Sequence, residues 1–179
     1  DNCPGVVVTA SPLSFTCADI VAKPTDLIIS EYLEGSSNNK AIELYNGTNA
    51  SISLTGYSIR VYSNGGTSFT SVSLAGSIAA GGTFVIANPS SNAAILGAAD
   101  QTSTVISFNG DDAVALNKAG TNIDIFGNIG STAWSGAATT TNVTLVRKAN
   151  INTGSTAAFS LSQWNSFATD FTANLGTHS

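Results

Sequence analysis

The chain has 179 residues, of which 42% are hydrophobic and only 9% are charged. The hydrophobic content argues against a disordered protein, and the length allows one ordinary core rather than two full domains. Six Lys and Arg residues against eleven Asp and Glu residues leave a net charge of −5, which disfavours direct binding of nucleic acid. No apolar run approaches the ~20 residues of a membrane helix, so we expect no membrane insertion.

Residues 1–25 form a predicted N-terminal arm that contains both cysteines, Cys3 and Cys17. A disulfide between them would close a loop of about 15 residues, which stabilises by roughly 3 kcal/mol in the chain-entropy model. Because the pairing is local and the composition is typical of extracellular proteins, we expect this disulfide rather than two reduced thiols. The same argument predicts an extracellular location, either secreted or on the cell surface.

Residues 26–150 contain short runs of alternating apolar and polar residues that predict β-strands. Turn signals such as Asn46-Gly47 and Asn109-Gly110 separate the runs. The spacing predicts an all-β domain, built as an antiparallel sandwich or barrel. The predicted strands are residues 26–34, 41–46, 57–62, 70–74, 83–88, 103–108, 113–117, 122–126 and 142–147.

Two segments depart from the strand pattern. Residues 88–97 place serines before an alanine-rich run and a glycine after it, which predicts one short surface helix. Residues 151–179 regain apolar content, and we expect this C-terminal segment either to pack on the sandwich or to lead to a following domain. Its apolar residues are Phe159, Leu161, Trp164, Phe167 and Phe171.

Three stretches carry a resemblance to a known family. They are E-x-x-E-G-S-S-N-N-K-A-x-E from Glu31 to Glu43, L-x-G-Y from Leu54 to Tyr57, and NGDDAVAL from Asn109 to Leu116. Together they resemble the bacterial lamin tail domain, over residues 26 to 130 and more weakly as far as residue 147. The resemblance implies an immunoglobulin-like β-sandwich, which agrees with the strand pattern.

The resemblance also implies a function. Bacterial lamin tail domains are similar to accessory modules attached to secreted nucleases, phosphatases and other surface proteins. The chain would then be a non-catalytic module at the N-terminal side of such an enzyme. Its partner would be the catalytic domain of the same polypeptide, or a surface protein or glycan. The final stretch, FATDFTANLGTHS, is similar to the connector between such a module and the next domain.

The sequence offers no familiar catalytic constellation. A Ser-His-Asp or Cys-His arrangement needs an imidazole, and the single histidine is His178. The GxSxG, P-loop and HExxH motifs are absent. We therefore expect no catalysis by this chain and no required cofactor.

Carboxylates gather in the stretches that carry the resemblance, and they are the candidate ligands for a calcium ion, which takes six to eight oxygens. Two alternatives to calcium stay open: salt bridges to Lys40 and Arg60, or acids that are solvated or accept backbone N–H groups. The second is expected above all of Asp112. If the first two strands pair as a hairpin, two of these acids approach each other, Glu31 and Glu43. The candidates are Glu31, Glu34, Glu43, Asp111 and Asp112.

Aromatic and basic residues support a second hypothesis for function. Trp134 stands in a loop of small residues and is the candidate for an exposed ligand contact, whereas the tyrosines on strands are expected to pack in the sheets. Arg147 and Lys148 are expected to be a solvated strand end rather than a DNA contact. The alternative to an accessory module is a calcium-dependent adhesion module, or one that binds glycan or protein.

Overall fold

The part of the chain that the structure describes, residues 24–136 and 139–178 of a computed structural model, contains twelve strands and one short α-helix. The helix, α1, is Ala93–Ala98. The predicted disulfide between Cys3 and Cys17 lies outside the described residues. The strands are β1 (Ile28–Glu34), β2 (Lys40–Tyr45), β3 (Ile52–Ser53), β4 (Tyr57–Tyr62), β5 (Thr70–Ser73), β6 (Ser77–Ile78), β7 (Thr83–Ala87), β8 (Gln101–Thr102), β9 (Ala113–Lys118), β10 (Thr121–Phe126), β11 (Val143–Arg147) and β12 (Trp164–Phe167).

Two sheets form the layers of a sandwich. The six-stranded sheet has the order β12-β11-β1-β2-β7-β8, and the four-stranded sheet has the order β10-β9-β4-β5. Strands β3 and β6 pair separately. Neighbouring strands are antiparallel except for β7 and β8, which pair in parallel. The prediction of an all-β antiparallel sandwich with one short helix is confirmed.

Side chains that point between the layers form one continuous core. Tyr32 of β1 stacks on Phe126 of β10 with ring centroids 3.9 Å apart, and Trp164 meets Phe126 edge-on at 5.3 Å. The pairing of β1 with β2 shifts register between Ile29 and Glu31. This bulge explains why both Ile29 and Tyr32 face the core although they are three positions apart.

The outer face of the six-stranded sheet is covered by α1 and by what we call the C-terminal segment, residues 168–178. Ile95 of α1 packs in a cluster with Leu33 and Val85 of the sheet, and Leu175 of the C-terminal segment packs against the same cluster. As a result every residue of β1 is buried, whichever face it points to.

One predicted strand is wrong. Residues 103–108 form a turn at Thr104 and Val105 and are otherwise irregular, although Ile106 and Phe108 are buried as a strand pattern would place them. The hydroxyl of Ser103 accepts the backbone N–H of Val105, and the carbonyl of Ser103 accepts that of Ile106. These local hydrogen bonds replace the ladder of a strand. The sequence pattern also missed the short strands β3, β6, β8 and β12.

The predicted helix forms, but its cap is not a serine. Asn92 is the N-cap, and its Oδ1 accepts the backbone N–H of Ile95 at 3.0 Å. The hydroxyl of Ser91 instead donates to the carbonyl of Asn38 at 2.9 Å. The start of the helix is therefore fastened to the turn between β1 and β2.

Candidate functional site

Glu31 and Glu43 face each other across β1 and β2 on the outer face of the six-stranded sheet. They are direct cross-strand partners, so their predicted approach is confirmed. Each is only 1% exposed. The C-terminal segment crosses this face of the sheet, since its Phe171 accepts a hydrogen bond from Thr144 of β11 and its Gly176 donates one to Glu43. One oxygen of Glu43 accepts the backbone N–H of Gly176 at 2.6 Å, and the other accepts the hydroxyl of Ser30 at 2.7 Å.

The surroundings of this pair disfavour ionisation. Burial is the main cause that raises the pKa of Glu31 from 4.5 to about 8, and the neighbouring Glu43 raises it further. Burial also raises the pKa of Glu43 from 4.5 to about 7, although hydrogen bonds from Ser30, Gly176 and Thr177 oppose the rise. Neither carboxyl oxygen of Glu31 has a hydrogen-bond partner among the described residues. Glu31 is therefore mostly protonated at pH 7.

Glu34, at the end of β1, holds the loops around it. Its carboxylate forms a buried salt bridge with Lys40 and accepts the backbone N–H of Asn142. Lys40 Nζ also donates to the carbonyl of Gly35 at 2.6 Å. The salt-bridge alternative is therefore confirmed for Glu34 and Lys40. Arg60, the second predicted partner, forms no salt bridge in the described part of the chain.

Asp111 and Asp112 follow the Asn109-Gly110 turn and have different roles. Asp112 is buried and accepts the backbone N–H groups of Asn109 at 2.9 Å and Asn64 at 2.6 Å, so its expected capping role is confirmed. Asp111 instead lines an open cleft of about 560 Å³, where loops meet at one end of the sandwich. The other lining residues are Glu34, Gly35, Ser37, Lys40, Asn64, Asn109, Gly110, Thr141 and Asn142.

The five candidate calcium ligands divide between two places. Glu31 and Glu43 lie under the C-terminal segment, whereas Glu34, Asp111 and Asp112 lie around the cleft or beside it. Across residues 24–136 and 139–178, no group of three or more His, Cys, Asp or Glu side chains is placed to hold a metal ion. A calcium site built on these residues stays a prediction.

Trp134 packs against the core more closely than its loop position suggested. Its ring lies edge-on to Phe126 at 5.7 Å and to Phe159 at 5.2 Å. Its Nε1 donates to the carbonyl of Ser131 at 2.7 Å, which fixes the orientation of the ring. The side chain is half-buried, and its role as a ligand contact stays a prediction.

The expectation that Arg147 is a solvated strand end is wrong. Arg147 is 3% exposed and forms a salt bridge with Asp124, which comes from the opposite sheet. Both side chains also bind the backbone of Ile29 in β1, whose N–H donates to Asp124 at 2.8 Å and whose carbonyl accepts from Arg147 at 3.2 Å. Sequence reasoning missed this pair because its members are 23 residues apart, and because the adjacent Lys148 made Arg147 look like part of a surface patch.

Two antiparallel layers around one core, with charged side chains that bind the chain's own backbone, define an immunoglobulin-like β-sandwich. In the described part of the chain no helix combines the length and apolarity needed to cross a membrane. The chain belongs to the lamin tail domain family, because the model of that family, Lamin Tail Domain, matches residues 21–130, more than half of its 179 residues. This domain is immunoglobulin-like and non-catalytic, which is consistent with a non-catalytic module. No curated protein matches the chain.

Proposed function

We propose that the chain is a non-catalytic extracellular accessory module, the N-terminal lamin tail domain of a bacterial secreted nuclease or related hydrolase. The observation that carries the proposal is the use of the charged residues in the family stretches. Glu34 and Lys40 bind each other and the backbone of nearby loops, and Asp112 binds two backbone N–H groups. These three side chains stabilise one end of the sandwich, and none of them is free to transfer a proton to a substrate.

The surface composition supports a role in contact with a partner. Only 9% of the residues are charged and the net charge is −5, so most of the polar surface comes from neutral hydroxyls and amides. Such a surface fits the proposed partners, the catalytic domain of the same polypeptide or a surface protein or glycan, better than it fits nucleic acid. The loops around the Asp111 cleft are the part of the module that we expect to contact a partner.

An activity assay tests the absence of catalysis. The purified chain is incubated with DNA, RNA and a phosphomonoester in the presence of Mg²⁺ or Ca²⁺, and we expect no turnover. Asp111→Asn is the matched variant, because Asp111 lines the cleft without a structural hydrogen bond among the described residues. Turnover that the wild-type chain shows and Asp111→Asn abolishes would make the cleft a catalytic site and would contradict the proposal.

A second function, calcium-dependent binding of a glycan or a protein, is supported by the chemistry of the same cleft. Asp111, Asn64 and Asn109 line it, and carboxylate and amide oxygens are ligand types that calcium takes. Calorimetric titration with Ca²⁺ separates the two functions. If the chain is only an accessory module, we expect Ca²⁺ to produce no binding heat and no change in the Tm of the chain. Binding heat that the wild-type chain shows and Asp111→Asn lacks would favour the adhesion module.

A further inference from the structure

The C-terminal segment covers two carboxyl groups that are costly to remove from water. Glu31 and Glu43 are each 1% exposed and stand at directly paired positions of β1 and β2. No cation offsets them, since the salt bridges in the described part of the chain involve other carboxylates. Both oxygens of Glu31 lack any hydrogen-bond partner there. Desolvation of such groups is unfavourable unless partners compensate for it.

The segment that provides this cover is itself loosely held. From residue 168 to residue 178 no residue is fully buried, although the strand residues beneath are. Leu175 contributes a partly buried apolar contact, and Phe171 stacks on Phe167 of β12 with ring centroids 4.5 Å apart. The ring of His178 lies 4.7 Å from that of Tyr45, but its buried Nδ1 has no partner among the described residues. Only these partly buried contacts offset the cost of covering the acids.

One end of the segment is anchored more firmly than the rest. The carboxylate of Asp170 accepts the backbone N–H and the hydroxyl of Ser36, at 2.9 Å and 2.6 Å. It also accepts the side-chain amide of Asn39 at 2.9 Å. These three hydrogen bonds fasten the segment to the turn between β1 and β2. The stretch beyond this anchor, residues 171–178, runs over the acidic pair.

We infer that residues 171–178 are a detachable cover, anchored at Asp170 and poised to lift from the sheet because closing it buries the carboxyl group of Glu31, which gains no hydrogen-bond partner from the described residues, beside that of Glu43. In the closed arrangement the pair is dry. When the cover lifts, both carboxyls are hydrated and the outer face of β1 and β2 becomes accessible to another chain. The cover is a conformational device that the proposed function does not require, so the two stand or fall separately.

Hydrogen exchange on the whole 179-residue chain tests the inference at one fixed pH near neutrality. The main reporter is the amide of Gly176, whose N–H donates to Glu43 on the sheet. The amides of Leu175 and Thr177 are further reporters, and their N–H groups donate to Thr172 and Asn174 within the cover itself. The reference is the amide of Ile42 in the buried strand β2, which reports global unfolding. We expect the reporters to exchange far faster than the reference, through an opening that leaves the core intact.

Glu31→Gln is the decisive variant, because it removes a carboxylate that must be neutralised by a proton, or lose its water as a charge, when the cover closes near neutral pH. We expect exchange of the reporter amides to slow tenfold or more, since an amide is neutral at every pH and carries no such cost of closing. Glu31→Met provides the same test with an apolar side chain in case the amide is poorly accommodated. Asp170→Asn weakens the hydrogen bonds that the Asp170 carboxylate accepts from Ser36 and Asn39. This variant should therefore accelerate exchange of the reporter amides. Asp111→Asn, in the cleft, should leave exchange unchanged.

The outcomes are distinct. Slower exchange in both Glu31 variants together with faster exchange in Asp170→Asn supports the detachable cover. Reporters that exchange only as slowly as Ile42 in the wild-type chain would overturn it, as would Glu31 variants whose reporters exchange as fast as in the wild type or faster. Loss of the protection of Ile42 in both Glu31 variants would also overturn it, because the acid would then be needed for the fold.

Discussion

Gly127 lies directly against the indole of Trp134, and a Cβ built on Gly127 would stand 2.5 Å from Trp134 Cζ2. The same glycine has a φ of +89°, in the region that favours glycine. Trp134 in turn contacts Phe126, which is at the centre of the aromatic core. Position 127 therefore favours glycine for two independent reasons, the left-handed backbone conformation and the close approach of the Trp134 ring.

Replacement of this glycine should destabilise the fold by two separable effects. We expect Gly127→Ala to lose about 1–2 kcal/mol for the left-handed backbone and about 1–3 kcal/mol more for the clash with Trp134. Gly56→Ala is the control, because Gly56 has a φ of +84° and a Cβ added there would meet no atom within 4 Å. Urea unfolding followed by tryptophan fluorescence measures both variants, and equal losses would contradict a role for the ring contact.

Arg147 and its neighbour Lys148 should respond very differently to the same substitution. Arg147→Met leaves Asp124 as a buried carboxylate without its cation, which we expect to cost about 3–5 kcal/mol of unfolding free energy. Lys148→Met removes a charge that is partly exposed, and it should cost no more than about 0.5 kcal/mol. Chemical denaturation gives both values. Similar losses in the two variants would show that the buried pair is not needed for stability.

The side-chain amide of Asn46 donates hydrogen bonds to three backbone carbonyls, and we expect it to be essential for the stability of the fold. Its side-chain Nδ2 donates to Ala50 and Ile78 at 2.9 Å and to Ala79 at 3.1 Å, and the residue is fully buried. Asn46→Asp keeps the shape but removes the donors, so we expect a loss of at least about 2 kcal/mol. The exposed Asn49 provides the control, Asn49→Asp, which should change the midpoint of thermal unfolding little. Equal shifts in the two variants would contradict this role.

Stability should fall as pH rises through neutrality, because of Glu31 and Glu43. Their pKa values are raised from 4.5 to about 8 and about 7, so the folded chain binds more protons than the unfolded chain between these limits. The contribution is fully present below pH 4.5 and is lost as pH rises towards 8. Each carboxyl changes the free energy of unfolding by up to about 1.4 kcal/mol per pH unit. Urea unfolding between pH 5 and pH 8.5 measures the decline.

Two other ionisable groups near Glu31 and Glu43 determine the pH range in which the fall in stability can be assigned to these carboxyls. Asp100 faces Glu43 and raises its pKa further. His178 has a pKa lowered from 6.5 by burial and then by Arg147, so its contribution is present above that value and is lost as pH falls. Above pH 6.5 the decline therefore belongs to the carboxyls. Glu31→Gln should flatten it there and His178→Gln should not, and a wild-type chain with constant stability in this range would contradict the assignment.

The sequence predicts the strands well where side-chain alternation alone decides. The run from Tyr57 to Tyr62 alternates cleanly and forms β4 with those bounds. Residues 103–108 place Ile106 and Phe108 at strand spacing, but the hydroxyl of Ser103 offers the backbone a local partner and the chain turns. Strand β12 was not predicted because its sequence, WNSF, has no β-branched residue, and its pairing depends on β11, which is distant in the sequence.

The sequence predicts the candidate site only in part, for a similar reason. The approach of Glu31 and Glu43 follows from a local hairpin, so the sequence indicates it. Their burial does not, since it depends on the C-terminal segment folding back to within hydrogen-bond distance of Glu43, 133 residues from Gly176. The Asp124–Arg147 pair was missed for the same reason, because it joins two sheets. Short-range sequence patterns predict the strands. Which charged residues become buried depends instead on contacts between segments that are distant in the sequence.

The Asp124–Arg147 pair also bears on aggregation. Strand β1 extends beyond its pairing with β11, and peptide groups that such an overhang leaves without a strand partner are where a strand from another molecule adds. Here the N–H and carbonyl of Ile29 are already occupied by side chains. Many proteins protect such positions with lysines at the sheet edge. In this sparsely charged chain a buried ion pair occupies those peptide groups instead, so they offer no template for an added strand at that position.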